Sequence, residues 1–110
     1  MELRCEKVRD VQVVHVKGRI DGTTADEFGQ DIGKIIEDGD CNLLLDLAAV
    51  PYINSAGLRM VLAAAKSAKK HGGRCDLSGL SDEVRNIFEL AGFTRILRIH
   101  STVDDAVSRW

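Results

Sequence analysis

Residues 46–59 connect a predicted buried strand to a predicted helix, and they read Asp46-Leu47-Ala48-Ala49-Val50-Pro51-Tyr52-Ile53-Asn54-Ser55-Ala56-Gly57-Leu58-Arg59. The strand is predicted over residues 41–47, because a short run centred on three consecutive leucines is typical of a strand buried on both faces. Pro51 fixes its own φ angle and biases the preceding residue toward extended backbone, so the connection should be stiff. Asn54 or Ser55 is the natural N-cap of the helix. A strand followed by a loop and a helix in this way indicates an α/β fold.

Strand and helix signals alternate along the rest of the chain. Residues 3–8 and 11–16 favour strands joined in an antiparallel hairpin, and further strands are predicted at residues 74–77 and 96–99. Helix caps are predicted at Thr23 or Thr24 and at Ser81, and an apolar stripe from residue 103 to 110 indicates a terminal helix. Strand–helix–strand units of this length require parallel pairing. We therefore predict an α/β fold in one domain, residues 1–110, with a mixed, mostly parallel sheet of about five strands and about four helices.

Composition and charge limit the classes of partner. The chain has 110 residues, of which 45% are apolar and 29% charged, and its net charge is −2. This balance provides no strongly basic surface for nucleic acid or for an anionic membrane. No apolar run is long enough to span a bilayer, and no signal peptide is recognisable. We expect a cytoplasmic monomer that binds neither nucleic acid nor membranes.

The residues that usually carry catalysis or bind metals are scattered. Cys5, Cys41 and Cys75 lie far apart in strand-like runs and are expected to be small buried hydrophobes. No histidine has a cysteine at metal-ligand spacing, and none can be placed near Ser55 to form a Ser-His-Asp set. No glycine-rich phosphate loop occurs. We therefore expect no metal, no cofactor and no enzymatic activity.

Ser55 is placed where a phosphate could be accepted. In an open α/β sheet, the loops after the carboxyl ends of the strands form the usual functional edge. A helix N-terminus offers free amides and the positive end of the helix dipole, so a phosphate on Ser55 should leave the helix intact. Gly57 lies in the first turn, and one reason for a missing side chain there is the close approach of another molecule's backbone.

The motif around Ser55 resembles the signature of the STAS domain, and more narrowly that of the bacterial anti-sigma factor antagonists. The resemblance rests on Asp46-Leu47, Val50, Ile53-Asn54-Ser55-Ala56-Gly57-Leu58 and Arg59. It extends over nearly the whole chain through Gly18-Arg19-Ile20-Asp21, residues 73–77, residues 84–88 and Ala91-Gly92-Phe93. The combined pattern is more specific for the fold than for the partner.

The resemblance implies a partner-switching cycle. An anti-sigma factor that is also a serine kinase would phosphorylate Ser55, the unphosphorylated chain would bind that kinase and free its sigma factor, and a serine phosphatase would reset the cycle. The resemblance also places the carboxylate of Asp21 near the serine. Asn54 stands where the family often has aspartate, and Ala56 leaves Ser55 as the only serine or threonine of this loop that can be phosphorylated.

Each expected site residue also has a simpler interpretation. The expected partner surface comprises Asp21, Asn54, Ser55, Ala56, Gly57, Arg59, Met60 and Ala63. Ser55 or Asn54 could be only a helix cap, and Asp21 could be only a turn former. The helix face of Met60, Ala63 and Ser67 could be a docking strip, but packing against another helix explains it equally well.

Two alternative functions remain open from the sequence. The chain could be a STAS subunit of a transporter or scaffold complex that has no phosphorylation cycle. It could also be a receiver domain with Asp46 as the phosphoacceptor, although an early acidic pair for magnesium and a lysine at a strand end are missing.

Overall fold

The computed structural model describes all residues from Met1 to Trp110. Its strands are β1 (Glu2–Val8), β2 (Val11–Lys17), β3 (Asn42–Ala49), β4 (Arg74–Ser78) and β5 (Ile99–His100). Its helices are α1 (Ala25–Glu37), α2 (Ser55–Lys70), α3 (Asp82–Leu90) and α4 (Val103–Ser108), with a 3₁₀ turn at Phe93–Arg95. No helix combines the length and the apolar composition that crossing a bilayer requires.

The five strands form one mixed sheet in the order β1-β2-β3-β4-β5. The β1–β2 hairpin is antiparallel, and the other three pairings are parallel. The predicted sheet is therefore confirmed. The carboxyl ends of all the parallel strands lie at the same end of the sheet, where the loop from β3 leads into α2.

The two faces of the sheet are covered by different helices. Helices α1, α2 and α3 cover one face and share a core of 21 buried residues with Val14, Leu43, Leu45 and Leu77. The short helix α4 covers part of the other face, where Ala106 and Val107 pack in a separate five-residue cluster with strand residues Val11, Val13 and Leu44. The leucine run of β3 thus faces apolar groups on both sides, as predicted from its lack of alternation.

The predicted strand at residues 96–99 is wrong in its boundaries. The chain first makes a 3₁₀ turn, in which the N–H groups of Ile96 and Leu97 both donate to the Phe93 carbonyl, and pairing with β4 begins only at Ile99. This turn buries Leu97 and leaves Ile96 64% exposed. An alternating strand would also bury Leu97 and expose Ile96, so the apolar residues alone do not distinguish this turn from a strand.

Two smaller predictions also need correction. Thr24 lies at the N-cap of α1, but its hydroxyl donates to the Arg19 carbonyl and accepts from the Asp21 N–H instead of capping the helix. Of the cysteines, only Cys75 is buried, whereas Cys5 is exposed and Cys41 is partly exposed. Cys5 lies on the edge strand β1, where only one neighbouring strand is available to cover it.

Candidate partner-binding site around Ser55

Two loops meet at the edge of the sheet where Ser55 lies. The Ile20 N–H donates to the Tyr52 carbonyl, and the Asn54 N–H donates to the Ile20 carbonyl, both at 3.0 Å. Ile20 and Ile53 thus form an isolated parallel bridge that continues the pairing of β2 and β3 beyond their ends. Asp21 follows Ile20 directly and Ser55 lies two residues after Ile53, so the pairing brings their two segments side by side.

Gly57 makes close packing of these two loops possible. A Cβ atom at Gly57 would lie 2.6 Å from Ile53 Cγ1, 2.8 Å from Ile20 Cγ2 and 3.1 Å from the Ile20 carbonyl oxygen. Real Cβ contacts are not this short, so a side chain here would push the loops away from α2. The glycine is therefore explained by the chain's own loops, and the approach of another molecule's backbone is not needed to account for it.

Asn54 is the N-cap of α2. Its backbone is extended, and its Oδ1 atom accepts a hydrogen bond of 3.0 Å from the Gly57 N–H. The Leu58 N–H donates to the Asn54 carbonyl at 2.9 Å, which closes the first helical turn. Of the two cap candidates, the structure selects Asn54 and makes Ser55 the first residue of the helix.

The hydroxyl of Ser55 has no structural partner within the chain. Ser55 is exposed, and its side chain makes no hydrogen bond. Because the first amides of a helix have no intrahelical acceptor, the N–H groups of Ser55 and Ala56 are available beside this hydroxyl. The first turn of α2 contains no acidic residue. An incoming negative charge would therefore meet the positive end of the helix dipole.

Asp21 supplies a negative charge on the adjoining loop. Its Oδ1 atom accepts from the backbone N–H of Thr23 at 3.0 Å and from the Thr23 hydroxyl at 2.8 Å. These bonds, with the Arg19 guanidinium 3.6 Å from the other carboxylate oxygen, hold the pKa of Asp21 below its ordinary value. The guanidinium carbon of Arg19 lies 4.5 Å from the centroid of the Tyr52 ring, and this cation–π contact links the two loops.

The predicted docking strip on α2 is only partly free. Ala63 is exposed, but Met60 is partly buried against the core; Arg59, which belongs to the expected partner surface and not to the strip, is exposed. A Cβ atom added at Gly29 of α1 would lie only 2.6 Å from the sulfur of Met60. Met60 therefore packs between the two helices, in agreement with the simpler interpretation. A groove of about 150 Å³ remains between α1 and α2, with Ala63 and Ser67 on its α2 side.

A cluster that the sequence analysis missed lies on the sheet face opposite α1 and α2. His15 Nδ1 is 2.6 Å from Asp46 Oδ2, and His15 Nε2 is 2.7 Å from Glu6 Oε1. The other oxygen of Asp46 accepts from the Ala48 N–H at 3.0 Å. Asp46 thus links β2 to the end of β3. The register pairs His15 with Asp46, but nothing in the local sequence reveals that register.

The described residues contain no group of three or more histidines, cysteines or acidic residues arranged to hold a metal ion. Burial, together with the neighbouring Asp76 carboxylate, raises the pKa of the Cys75 thiol to about 12, so this group is a protonated core side chain. The chemistry that the site around Ser55 presents is one exposed hydroxyl, two free amides and a carboxylate on the adjoining loop.

Comparison with known proteins gives a consistent result. The family model described as the STAS domain matches residues 2–106. The anti-sigma-F factor antagonist RsfB of Mycobacterium tuberculosis is 30% identical over 98 residues, which cover 89% of this chain and 80% of RsfB. The anti-sigma-B factor antagonist of Bacillus subtilis is also 30% identical over 98 residues, or 89% of this chain and 88% of that relative. The crystal structure of an anti-sigma factor antagonist from Mycobacterium paratuberculosis superposes with a TM-score of 0.89 at 30% identity, covering 98% of this chain and 92% of the other.

Proposed function

This chain belongs to the STAS domain family, and we propose that it acts as an anti-sigma factor antagonist controlled by phosphorylation of Ser55. With a free hydroxyl at Ser55 it binds an anti-sigma factor, and the sigma factor is released. With phosphate at Ser55 it releases the anti-sigma factor. The proposal places this cycle in the cytoplasm, with the chain acting as a monomer.

One observation carries the proposal. The hydroxyl of Ser55 is exposed and forms no bond within the fold, because Asn54 has taken the role of the cap. A serine kept only to cap α2 would have its oxygen on a backbone amide. The free hydroxyl is instead accessible to a kinase and can change without loss of an internal contact.

The geometry also explains why phosphate would change binding and leave the fold intact. Phosphorylation adds a charge of about −1.5 to −2 at pH 7. The N–H groups of Ser55 and Ala56 would donate hydrogen bonds to the phosphate oxygens, so α2 should persist. The neighbouring contact residues Ala56 and Ala63 are small and apolar, and Asp21 is already negative. An apolar or acidic partner surface that fits the bare site would thus face like-charge repulsion and a desolvation cost.

The partner in this proposal is an anti-sigma factor that is itself a serine kinase, and a serine phosphatase removes the phosphate. The chain then needs no catalytic group, metal or cofactor of its own. The proposed contact surface is centred on Ser55 and includes Asp21, Asn54, Ala56, Arg59 and the exposed edge of α2 at Ala63, with Gly57 and Met60 supporting it from beneath.

Substitutions at Ser55 test the proposal. The Ser55→Ala variant should bind the purified anti-sigma factor as tightly as the unmodified chain, and Ser55→Asp should bind at least about tenfold more weakly. Asn86→Asp adds the same charge to an exposed position on α3 and serves as the control. Thermal unfolding should be similar for all three variants.

Equal binding by Ser55→Ala and Ser55→Asp would contradict the switch. That result would favour the other STAS role, a subunit of a transporter or scaffold complex without a phosphorylation cycle, in which the docking face matters and the hydroxyl does not.

A further inference from the structure

A second feature of the surface is a cleft of about 750 Å³ at the β5 edge of the sheet. It is formed by α3, the segment from residue 94 to 101, and α4. Four arginines line it, namely Arg85, Arg95, Arg98 and Arg109. None of the residues expected to bind the anti-sigma factor contributes to it.

The cleft holds excess positive charge in a chain whose net charge is −2. Its only acidic lining residue is Asp105, whose Oδ1 atom is paired with Arg109 Nε at 2.9 Å. No carboxylate lies within ion-pair distance of Arg85, Arg95 or Arg98. A concave surface lined by charge of one sign concentrates the opposite charge. Three free guanidinium groups suit anionic ligands with carboxylate or phosphate oxygens, which they can bind in a bidentate manner.

The wall of the cleft is an unpaired strand edge. Strand β5 has a neighbour on one side only, since β4 is next to it and no strand lies beyond. The Leu77 and Gly79 N–H groups donate to the carbonyls of Arg98 and His100. Because alternate residues of a strand bond to the same neighbour, the N–H and C=O groups of Ile99 point away from β4. They are free to pair with an extended peptide.

The arrangement of arginines and an apolar side chain along this edge favours one class of anionic ligand over others. Arg95 and Arg98 are exposed and lie along the segment that leads into β5, next to Ile96, which is 64% exposed. Charged groups spread over α3, the 3₁₀ turn and the residue before β5, with the apolar Ile96 between two of them, match an elongated peptide better than one compact phosphate. A flat bilayer does not follow a concave cleft as a peptide does.

We propose that this arginine cleft is a second docking site, and that it binds an extended acidic segment of a partner protein along β5. The carboxylates of the segment pair with Arg85, Arg95 and Arg98, while one apolar side chain covers Ile96. Because β5 is only two residues long, the charge pairs supply most of the affinity and the backbone bonds fix the register. Binding at this site is independent of Ser55 and of whether Ser55 is phosphorylated.

The test uses the full chain and a fluorescent peptide of about 12 residues in which glutamate alternates with valine, a length that spans β5 and its flanks. We expect saturable binding by fluorescence anisotropy, which weakens several-fold when the salt is raised from about 50 to about 200 mM. The Arg85→Gln/Arg98→Gln double variant should bind at least about tenfold more weakly. The Lys34→Gln/Lys70→Gln double variant removes the same charge from exposed positions on α1 and α2, and should bind within about twofold of the unmodified chain.

Backbone amide chemical shifts of the unmodified chain provide a readout that does not depend on the variants folding. The peptide should move the resonances of residues 95–101 and leave those of residues 53–58 unchanged. The proposal is overturned if the two double variants bind alike, or if the shifts lie elsewhere. It is also overturned if pyrophosphate or phosphatidylglycerol vesicles bind the cleft more tightly than the peptide does.

Discussion

Substituting alanine for Gly57 tests whether close packing of the two loops positions Ser55. The new Cβ would lie 2.6 Å from Ile53 Cγ1 and 2.8 Å from Ile20 Cγ2, and it would also press on the Ile20 carbonyl at 3.1 Å. Overpacking of this kind costs about 1–3 kcal/mol. Alanine regains at most about 1 kcal/mol of helix propensity. We expect a net loss of about 1–2 kcal/mol and a decrease in Tm of roughly 4–10 °C.

Two other glycines in helices provide matched controls. A Cβ at Gly33 of α1 would meet no atom within 4 Å, so Gly33→Ala should stabilise the protein by about 0.5–1 kcal/mol. A Cβ at Gly29 would meet only atoms of the flexible Met60 side chain, with the sulfur nearest at 2.6 Å, so Gly29→Ala should change stability by less than about 0.5 kcal/mol.

Urea denaturation of the three variants measures their free energies of unfolding, and so their order of stability, directly. The predicted order of stability is Gly33→Ala, then Gly29→Ala, then Gly57→Ala, and partner binding should weaken only for the last, because the displaced loops carry Ser55. If Gly57→Ala were as stable as Gly33→Ala, the contact of α2 with the two loops would not be close, and the structural explanation of the glycine would fail.

Three further predictions concern individual side chains. Asn54→Ala should lose about 0.5–2 kcal/mol of unfolding free energy, whereas Asn54→Asp keeps a capping oxygen; equal stability of the two would contradict the cap. Hydrogen bonds from Thr23 lower the pKa of Asp21, so its carboxylate stabilises the fold above its ordinary pKa of 3.8, and that contribution is lost as pH falls through the lowered value. Stability measured against pH should therefore fall less steeply below about pH 4 for Asp21→Asn, and an unchanged acid limb would argue against these bonds. Burial raises the pKa of Cys75 to about 12, so a thiol reagent at about pH 8 should modify exposed Cys5 in the folded protein and Cys75 only after unfolding. Mass spectrometry counts the modified cysteines in each state.

The strands and helices of the sheet core could be predicted because each carries its own periodic signal. The β-branched run of β2, the leucines of β3 and the stripe of α1 each identify an element without reference to the rest of the chain. The sequence allows either Asn54 or Ser55 as the N-cap of α2. Which of them caps the helix depends on which side chain reaches the Gly57 N–H. That choice could be made only from coordinates.

The rest depends on contacts between distant residues. The turn at residues 93–95 is closed by hydrogen bonds to the Phe93 carbonyl, with Leu97 buried and Ile96 exposed, and the two residues are equally apolar in the sequence. His15 meets Asp46 and Glu6 only through strand register, across separations of 31 and 9 residues. The arginine cleft likewise combines α3, β5 and α4, whose charges are unremarkable along the chain.

The most direct test of the account compares the chain with and without phosphate on Ser55. The protein is incubated with ATP and the anti-sigma factor kinase, the phosphate is located by tandem mass spectrometry, and the affinity of each form for that kinase is measured. We expect one phosphate, on Ser55, an unchanged circular dichroism spectrum, and an affinity lower by about 100-fold, or about 2.7 kcal/mol. Phosphate on another residue, or equal affinity of the two forms, would contradict this expectation.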